Sequence, residues 1–227
     1  MKMILTSSDI TGVPNGIETV EKLVGKNRQD INIAIINEAS AVDFGGHRWA
    51  IAEMEHLARD FGGEIEIVHL LAISKEQVKE RIEIADVVLV LGGNSDYLKT
   101  VFDKTGFSEY LPDILENKLY IGSSAGSMIL GHRTTTKIWT DIYQETEYTD
   151  KYFDFVNLEF LPHLHSPYFD RKGRVGSRMV DYAVEESRIS NCPIYAVSDK
   201  AAVVVDGDDT SVIGDDYLII DNGEIIS

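Results

Sequence analysis

Strand-like apolar runs alternate with helix-like patterns through the first half of the chain. Strands are predicted at 3–6, 31–36, 64–69 and 87–91, and helices at 17–24, 48–61 and 75–82. The runs at 31–36 and 87–91 are apolar at almost every position, which is typical of parallel strands covered by helices on both faces. The alternation therefore predicts a three-layer α/β fold with a mostly parallel sheet, whose ligand sites lie at the carboxyl ends of the strands.

The pattern changes after residue 200. Apolar runs at 201–205 and 211–213 flank one turn signal, and runs at 217–220 and 224–226 flank Asp221-Asn222-Gly223, a second one. These hairpins are predicted to form an antiparallel C-terminal extension of the same sheet. Because no linker, repeat or low-complexity segment interrupts the chain, residues 1–227 are expected to form a single α/β domain.

Charge and cysteine content narrow the classes of partner. The chain has 21 basic and 38 acidic residues and a net charge of −17, which disfavours nucleic acid and anionic membranes as partners. No apolar run approaches the roughly 18 residues of a membrane span, and residues 1–6 do not resemble a signal peptide. The single cysteine, Cys192, cannot form an internal disulfide. A cytoplasmic protein is expected.

A serine lies between a strand-like run, 118–121, and a segment that can begin a helix. The sequence there is Gly122-Ser123-Ser124-Ala125-Gly126, a G-x-S-x-G motif. Small flanking residues allow a strained turn that exposes the serine hydroxyl and directs the N–H of the next residue at the atom that it attacks. Ser124 is therefore a candidate nucleophile in a nucleophile elbow.

A serine nucleophile needs a base and a group that orients the base. His163 and His165 follow the apolar run 155–160, and their spacing alone does not separate them. The other histidines are interpreted as structural or too close to the motif, namely His47, His56, His69 and His132. Asp199, after the strand-like run 193–198, and Asp141, nearer the serine, are both candidate acids.

Two further segments are candidates for binding. Gly92-Gly93-Asn94-Ser95 follows a buried strand and could supply a backbone oxyanion donor and a substrate contact from Asn94; alternatively, Asn94 or Ser95 caps the next helix. Four cations lie close together at Arg171, Lys172, Arg174 and Arg178. Arg171 and Arg174 are candidate ligands for a substrate carboxylate, although a solvated helix face explains the cluster equally simply.

The three motifs together resemble the dipeptidase E and cyanophycinase family of serine peptidases. They are Gly92-Gly93-Asn94-Ser95, Gly122-Ser123-Ser124-Ala125-Gly126 and Leu161-Pro162-His163, and their order and spacing agree with that family over nearly the whole chain. The resemblance implies a fold like that of class I glutamine amidotransferases and the hydrolysis of short peptides. It also implies no cofactor and no metal.

The resemblance assigns roles position by position. Ser124 matches the nucleophile, His163 the base, and the N–H groups of Gly93 and Ala125 the oxyanion hole. The family commonly has glutamate as its third catalytic residue, and Asp199 occupies that place here; its side chain is one methylene shorter, so the backbone must approach more closely. Asp141 is the alternative acid. The basic segment departs from the residues that aspartyl-specific members use.

Two other hypotheses remain open at this stage. The chain could be a non-catalytic binding or regulatory relative on the same fold, for which the aspartate in place of glutamate is the best support. It could also be an esterase of the α/β-hydrolase type, because Ser124, Asp141 and His163 follow the order of that triad. The expected partner is a small peptide substrate, and the expected assembly a monomer or a homodimer.

Overall fold

Strands and helices alternate along most of the chain, as the sequence pattern predicts. The computed structural model describes residues 1–42, 46–133, 151–166 and 179–227. Within these ranges the strands are β1 (Lys2–Thr6), β2 (Ile33–Ile36), β3 (Ile65–Ile67), β4 (Val87–Val90), β5 (Leu119–Ser123), β6 (Glu159–Pro162), β7 (Ile194–Val197), β8 (Ala201–Asp206), β9 (Asp209–Gly214), β10 (Tyr217–Asp221) and β11 (Glu224–Ile225). The helices are α1 (Gly16–Val24), α2 (Arg48–Asp60), α3 (Lys75–Ile84), α4 (Ser95–Thr105), α5 (Leu111–Asn117), α6 (Ala125–Met128) and α7 (Met179–Ser187).

The main sheet has seven strands in the order β3-β2-β4-β5-β1-β8-β9. Strands β3, β2, β4, β5 and β1 run parallel, whereas β8 and β9 pair antiparallel at the far side. The predicted mostly parallel α/β sheet is therefore confirmed, and β8 and β9 form the predicted antiparallel extension.

Side chains alternate between the two faces of this sheet because successive residues of a strand point in opposite directions. Val88 and Val90 of β4 belong to an apolar cluster with residues of α3, α4 and α5. Val87 and Leu89 belong to a second cluster with residues of α1 and α2. Helices thus cover both faces, and no helix within the described ranges is long and apolar enough to cross a membrane.

The last two strands correct the sequence interpretation. Strands β10 and β11 do not extend the main sheet; they belong to a second, four-stranded sheet in the order β11-β10-β7-β6. Gly214 and Asp216 have φ values of 82° and 65°, and between β9 and β10 the chain passes from one sheet to the other. Local turn signals predict a hairpin but do not encode which strand edge the hairpin pairs with, so the pattern alone could not assign β10 to β7.

The turn after β5 is packed so closely that it requires glycine at both flanks of its serine. A Cβ at Gly126 would lie within 3.0 Å of the Val90 carbonyl oxygen, and one at Gly122 within 3.0 Å of the Ser127 nitrogen. Real Cβ atoms essentially never approach other atoms so closely. The two glycines therefore let α6 begin directly against β4 and β5.

We predict that Gly126→Ala lowers the free energy of unfolding by about 1–3 kcal/mol, because the added methyl group overpacks this junction. Urea unfolding followed by circular dichroism measures the change. Gly12→Ala is the matched control, since a Cβ there meets no atom within 4 Å. Equal losses of stability in the two variants would contradict the packing argument.

Candidate active site

Ser124 lies at the carboxyl end of β5 on a sharp turn into α6. Its φ of 49° and ψ of −109° are unusual for a residue other than glycine. Such a conformation costs on the order of 1–3 kcal/mol and persists only where neighbouring structure holds it. Here the Ser124 N–H donates to the Thr6 carbonyl at 2.9 Å, which ties the turn to the adjacent strand β1.

His163 and Asp199 follow neighbouring parallel strands of the second sheet. Pro162 of β6 pairs in register with Val197 of β7, so the residues just beyond these strands emerge side by side at one edge. His163 Nδ1 lies 2.9 Å from Asp199 Oδ1, and His163 Nε2 lies 2.9 Å from Ser124 Oγ. The three side chains form a continuous hydrogen-bonded path across the two sheets.

The structure separates His163 from His165, which the spacing did not. His165 Nε2 lies 3.8 Å from Asp216 Oδ1, and its side chain is 61% exposed. The His163 side chain is only 19% exposed and contacts the serine. Three of the other histidines have partners elsewhere: His56 contacts Asp9, His47 contacts the Ser40 carbonyl, and His132, which lies too close to the motif, contacts Asp154.

The glycine loop after β4 lies against Ser124. A Cβ on Gly92 would be 3.7 Å from Ser124 Oγ, so this backbone borders the hydroxyl directly. Gly93 has a φ of 132°, and a Cβ there would lie within 3.0 Å of the Ala39 carbonyl, which makes glycine necessary. Within the described residues, the N–H groups of Gly93 and Ala125 donate no hydrogen bond.

Asn94 acts as a helix cap, as the simpler alternative proposed. Its Oδ1 accepts a hydrogen bond of 2.8 Å from the Tyr97 N–H at the start of α4. The Asn94 N–H donates to the Ala39 carbonyl at 3.0 Å and its carbonyl accepts the Leu98 N–H at 3.0 Å, so a substrate contact from Asn94 would have to come from its Nδ2 group. Asp141, Arg171 and Arg174 lie outside the described residues.

Glu53 of α2 is a buried carboxyl beside the serine turn that sequence reasoning missed. Its side chain accepts a hydrogen bond of 3.2 Å from Ser123 Oγ, and the residue is only 4% exposed. Burial, with a smaller contribution from the charge of Asp9, raises the pKa of Glu53 from 4.5 to about 8. Glu53 lies three residues after Ala50 and four before Leu57, and both of these residues are buried. This helical spacing is the sequence signal that could have indicated an inward-facing side chain.

Comparison with protein families decides the class of this site. The model of peptidase family S51 matches residues 3–213. The chain belongs to peptidase family S51. It is therefore a serine-type peptidase, which confirms the resemblance inferred from the three motifs.

Solved structures show the same fold for this peptidase. A crystal structure of a candidate peptidase E protein from Listeria monocytogenes EGD-e has a TM-score of 0.73 at 23% identity. The match covers 95% of this chain and 98% of the Listeria chain. A peptidase from an acI-B1 actinobacterium has a TM-score of 0.63 at 20% identity and covers 100% and 96% respectively. A comparison with curated proteins gives no match.

We predict that Glu53 makes the stability of the peptidase depend on pH. Because folding raises its pKa from 4.5 to about 8, the folded state binds more protons than the unfolded state between these values. Its stabilising contribution is fully present below about pH 4.5 and is lost as pH rises through about 8. Glu53→Gln should thus gain stability relative to the native protein as pH rises, by at most about 5 kcal/mol.

Urea unfolding of both proteins at several pH values between about 5 and 9 measures this difference. The comparison cancels the contributions of the other titratable groups, because both proteins contain them. Parallel stability profiles would show that Glu53 ionises freely in the folded state.

Proposed function

We propose that this peptidase hydrolyses short peptides in the manner of dipeptidase E, through an acyl-enzyme on Ser124. The observation that carries the proposal is the continuous path from Ser124 Oγ to His163 Nε2 and from His163 Nδ1 to Asp199 Oδ1, with both distances at 2.9 Å. The positive φ of Ser124 supports a nucleophile elbow, since this conformation presents the hydroxyl at the end of the strand.

In the first step, Ser124 Oγ forms a bond to the peptide carbonyl carbon while its proton passes to His163 Nε2. The carbonyl oxygen becomes an oxyanion in the tetrahedral intermediate. His163 then gives the proton to the leaving nitrogen, the C–N bond breaks, and an acyl-enzyme remains. Asp199 orients the imidazole by accepting from Nδ1–H and stabilises its charged form.

In the second step, water replaces the amine. His163 takes a proton from the water as it attacks the acyl carbon, and then returns a proton to Ser124 as the ester bond breaks. The N–H groups of Gly93 and Ala125 are the proposed oxyanion donors in both steps. Gly93 follows Gly92, whose backbone borders the Ser124 hydroxyl, and Ala125 follows Ser124 in the chain. Neither N–H group donates a hydrogen bond within the described residues, which supports this role.

The preference for short peptides rests on the motif resemblance and on the structural similarity to the candidate peptidase E protein. The proposed chemistry uses only side chains and backbone groups of the chain, and so it requires neither a metal nor an organic cofactor.

We predict that a small fluorophosphonate adds once to the native peptidase and not to Ser124→Ala. The activated Oγ displaces fluoride from phosphorus, and intact-mass spectrometry detects the phosphonyl adduct. Ser123→Ala is the matched control, because it removes the neighbouring hydroxyl, which bonds Glu53 instead of His163, and should still be labelled. An adduct on Ser124→Ala, or none on the folded native protein, would contradict the assignment.

A second prediction separates the two candidate acids. Asp199→Asn should slow fluorophosphonate labelling by about a hundredfold or more, because the amide no longer favours the productive tautomer of His163. The Asp141→Asn variant should be labelled at a rate within about threefold of the native rate. Loss of a triad member would slow the labelling far more. Loss of labelling in Asp141→Asn with a near-native rate in Asp199→Asn would instead favour the triad order of α/β-hydrolases.

A further inference from the structure

Ser7 occupies the junction between the two sheets. It follows β1 directly, at the edge of the main sheet where the serine turn lies, and it is 1% exposed. Its Oγ donates to the Val197 carbonyl at 2.6 Å and accepts from the His163 N–H at 3.1 Å. One buried hydroxyl thus bonds both strand ends that carry the proposed base and acid.

The main-sheet side of this junction is tied to the nucleophile. Thr6, the neighbour of Ser7, pairs in register with Ser123, and its carbonyl accepts the Ser124 N–H. The Thr6 carbonyl binds the Ser124 N–H, and the Ser7 hydroxyl binds the His163 N–H. The two acceptors therefore belong to adjacent residues. This connection leaves the backbones of Ser124 and His163 little freedom to move relative to each other.

The second-sheet side is tied to the acid. Val197 ends β7 two residues before Asp199, and its carbonyl also accepts the Leu164 N–H at 3.0 Å. His163 has a φ of 66°, a conformation that L-residues seldom adopt without support from their surroundings. The bond from the His163 N–H to Ser7 is such a support.

We propose that Ser7 is a positioning residue for the peptidase reaction. Its hydroxyl fixes the backbone of His163 against the end of β7, so that the imidazole remains between Ser124 and Asp199. Ser7 touches no reacting atom and acts only through His163. This inference rests on the proposed function, because it assumes that His163 is the base for Ser124.

The test compares Ser7→Ala with Ser187→Ala. Ser187 is an unusually close control: it is fully buried, and its Oγ also donates to a carbonyl, that of Val184, and accepts a backbone N–H, that of Gly223. It lies beyond the opposite end of β7, where Ile220 pairs with Ile194. Both variants lose the same kind of hydroxyl, but only one loses a contact to His163.

The first readout is the rate of labelling by a small fluorophosphonate, which needs no known substrate. Ser7→Ala should label about ten- to a hundredfold more slowly, because a displaced base removes the proton less efficiently. Ser187→Ala should label within about threefold of the native rate, since a lost hydrogen bond away from the site does not displace the base. Ser7→Cys, which keeps the shape with a weaker donor, should fall between Ser7→Ala and the native protein.

The second readout is the nitrogen NMR signature of the His163 ring, with circular dichroism as the check on folding. Ser7→Ala should shift the His163 signals, whereas Ser187→Ala should leave them in place. A native labelling rate in folded Ser7→Ala, or equal slowing in both variants, would overturn the positioning role and leave the proposed function intact. A folded native protein that is not labelled would overturn the proposed function, and the inference with it.

Discussion

The geometry of the site depends on the meeting of two sheets at one edge. Ser124 ends a strand of the main sheet, whereas His163 and Asp199 end strands of the second. Neither sheet alone contains the hydrogen-bonded path from Ser124 to Asp199. The distances between the three side chains therefore depend on how the two sheets are joined. Between β7 and β8 the chain crosses from one sheet to the other through three residues, Ser198, Asp199 and Lys200. The Ser198 hydroxyl stabilises this turn by donating to the Asp215 carbonyl at 2.9 Å. A short, bonded crossover explains how an aspartate reaches the imidazole at 2.9 Å without the additional methylene of a glutamate.

Two residues of the proposed catalytic path have strained backbones. Both Ser124 and His163 have positive φ values, 49° and 66°. Each has a hydrogen bond from its own N–H to an adjoining residue at the end of β1: Ser124 to the Thr6 carbonyl, and His163 to the Ser7 hydroxyl. The end of β1 thus stabilises two unfavourable conformations at once. A strained pair supported in this way is pre-organised, because little rearrangement is needed before proton transfer.

The charge near Ser124 depends more on the burial of Glu53 than on the net negative charge of the chain. A net charge of −17 would by itself disfavour a developing oxyanion. Glu53 is close to the turn, but its raised pKa of about 8 keeps its carboxyl neutral near pH 7. A neutral carboxyl can accept the Ser123 hydroxyl without placing a negative charge beside the nucleophile. Burial therefore lets the protein use a polar group at a position where an ionised one would oppose the reaction.

The sequence by itself determined the parallel sheet, the serine turn and the pair of histidines, because each depends on local patterns: continuous apolar runs, small residues around Ser124 and a polar segment after a strand. It placed Asp199 at a strand end but could not show that Asp199 lies 2.9 Å from His163 Nδ1, and without the family resemblance it could not choose between His163 and His165. It also assigned β10 to the wrong sheet and overlooked Ser7 and Glu53. These points depend on strand pairing and side-chain contacts between residues that are distant in sequence: 70 positions separate Glu53 from Ser123, and 156 separate Ser7 from His163. Such distant contacts leave no local periodicity, and only the tertiary structure decided them.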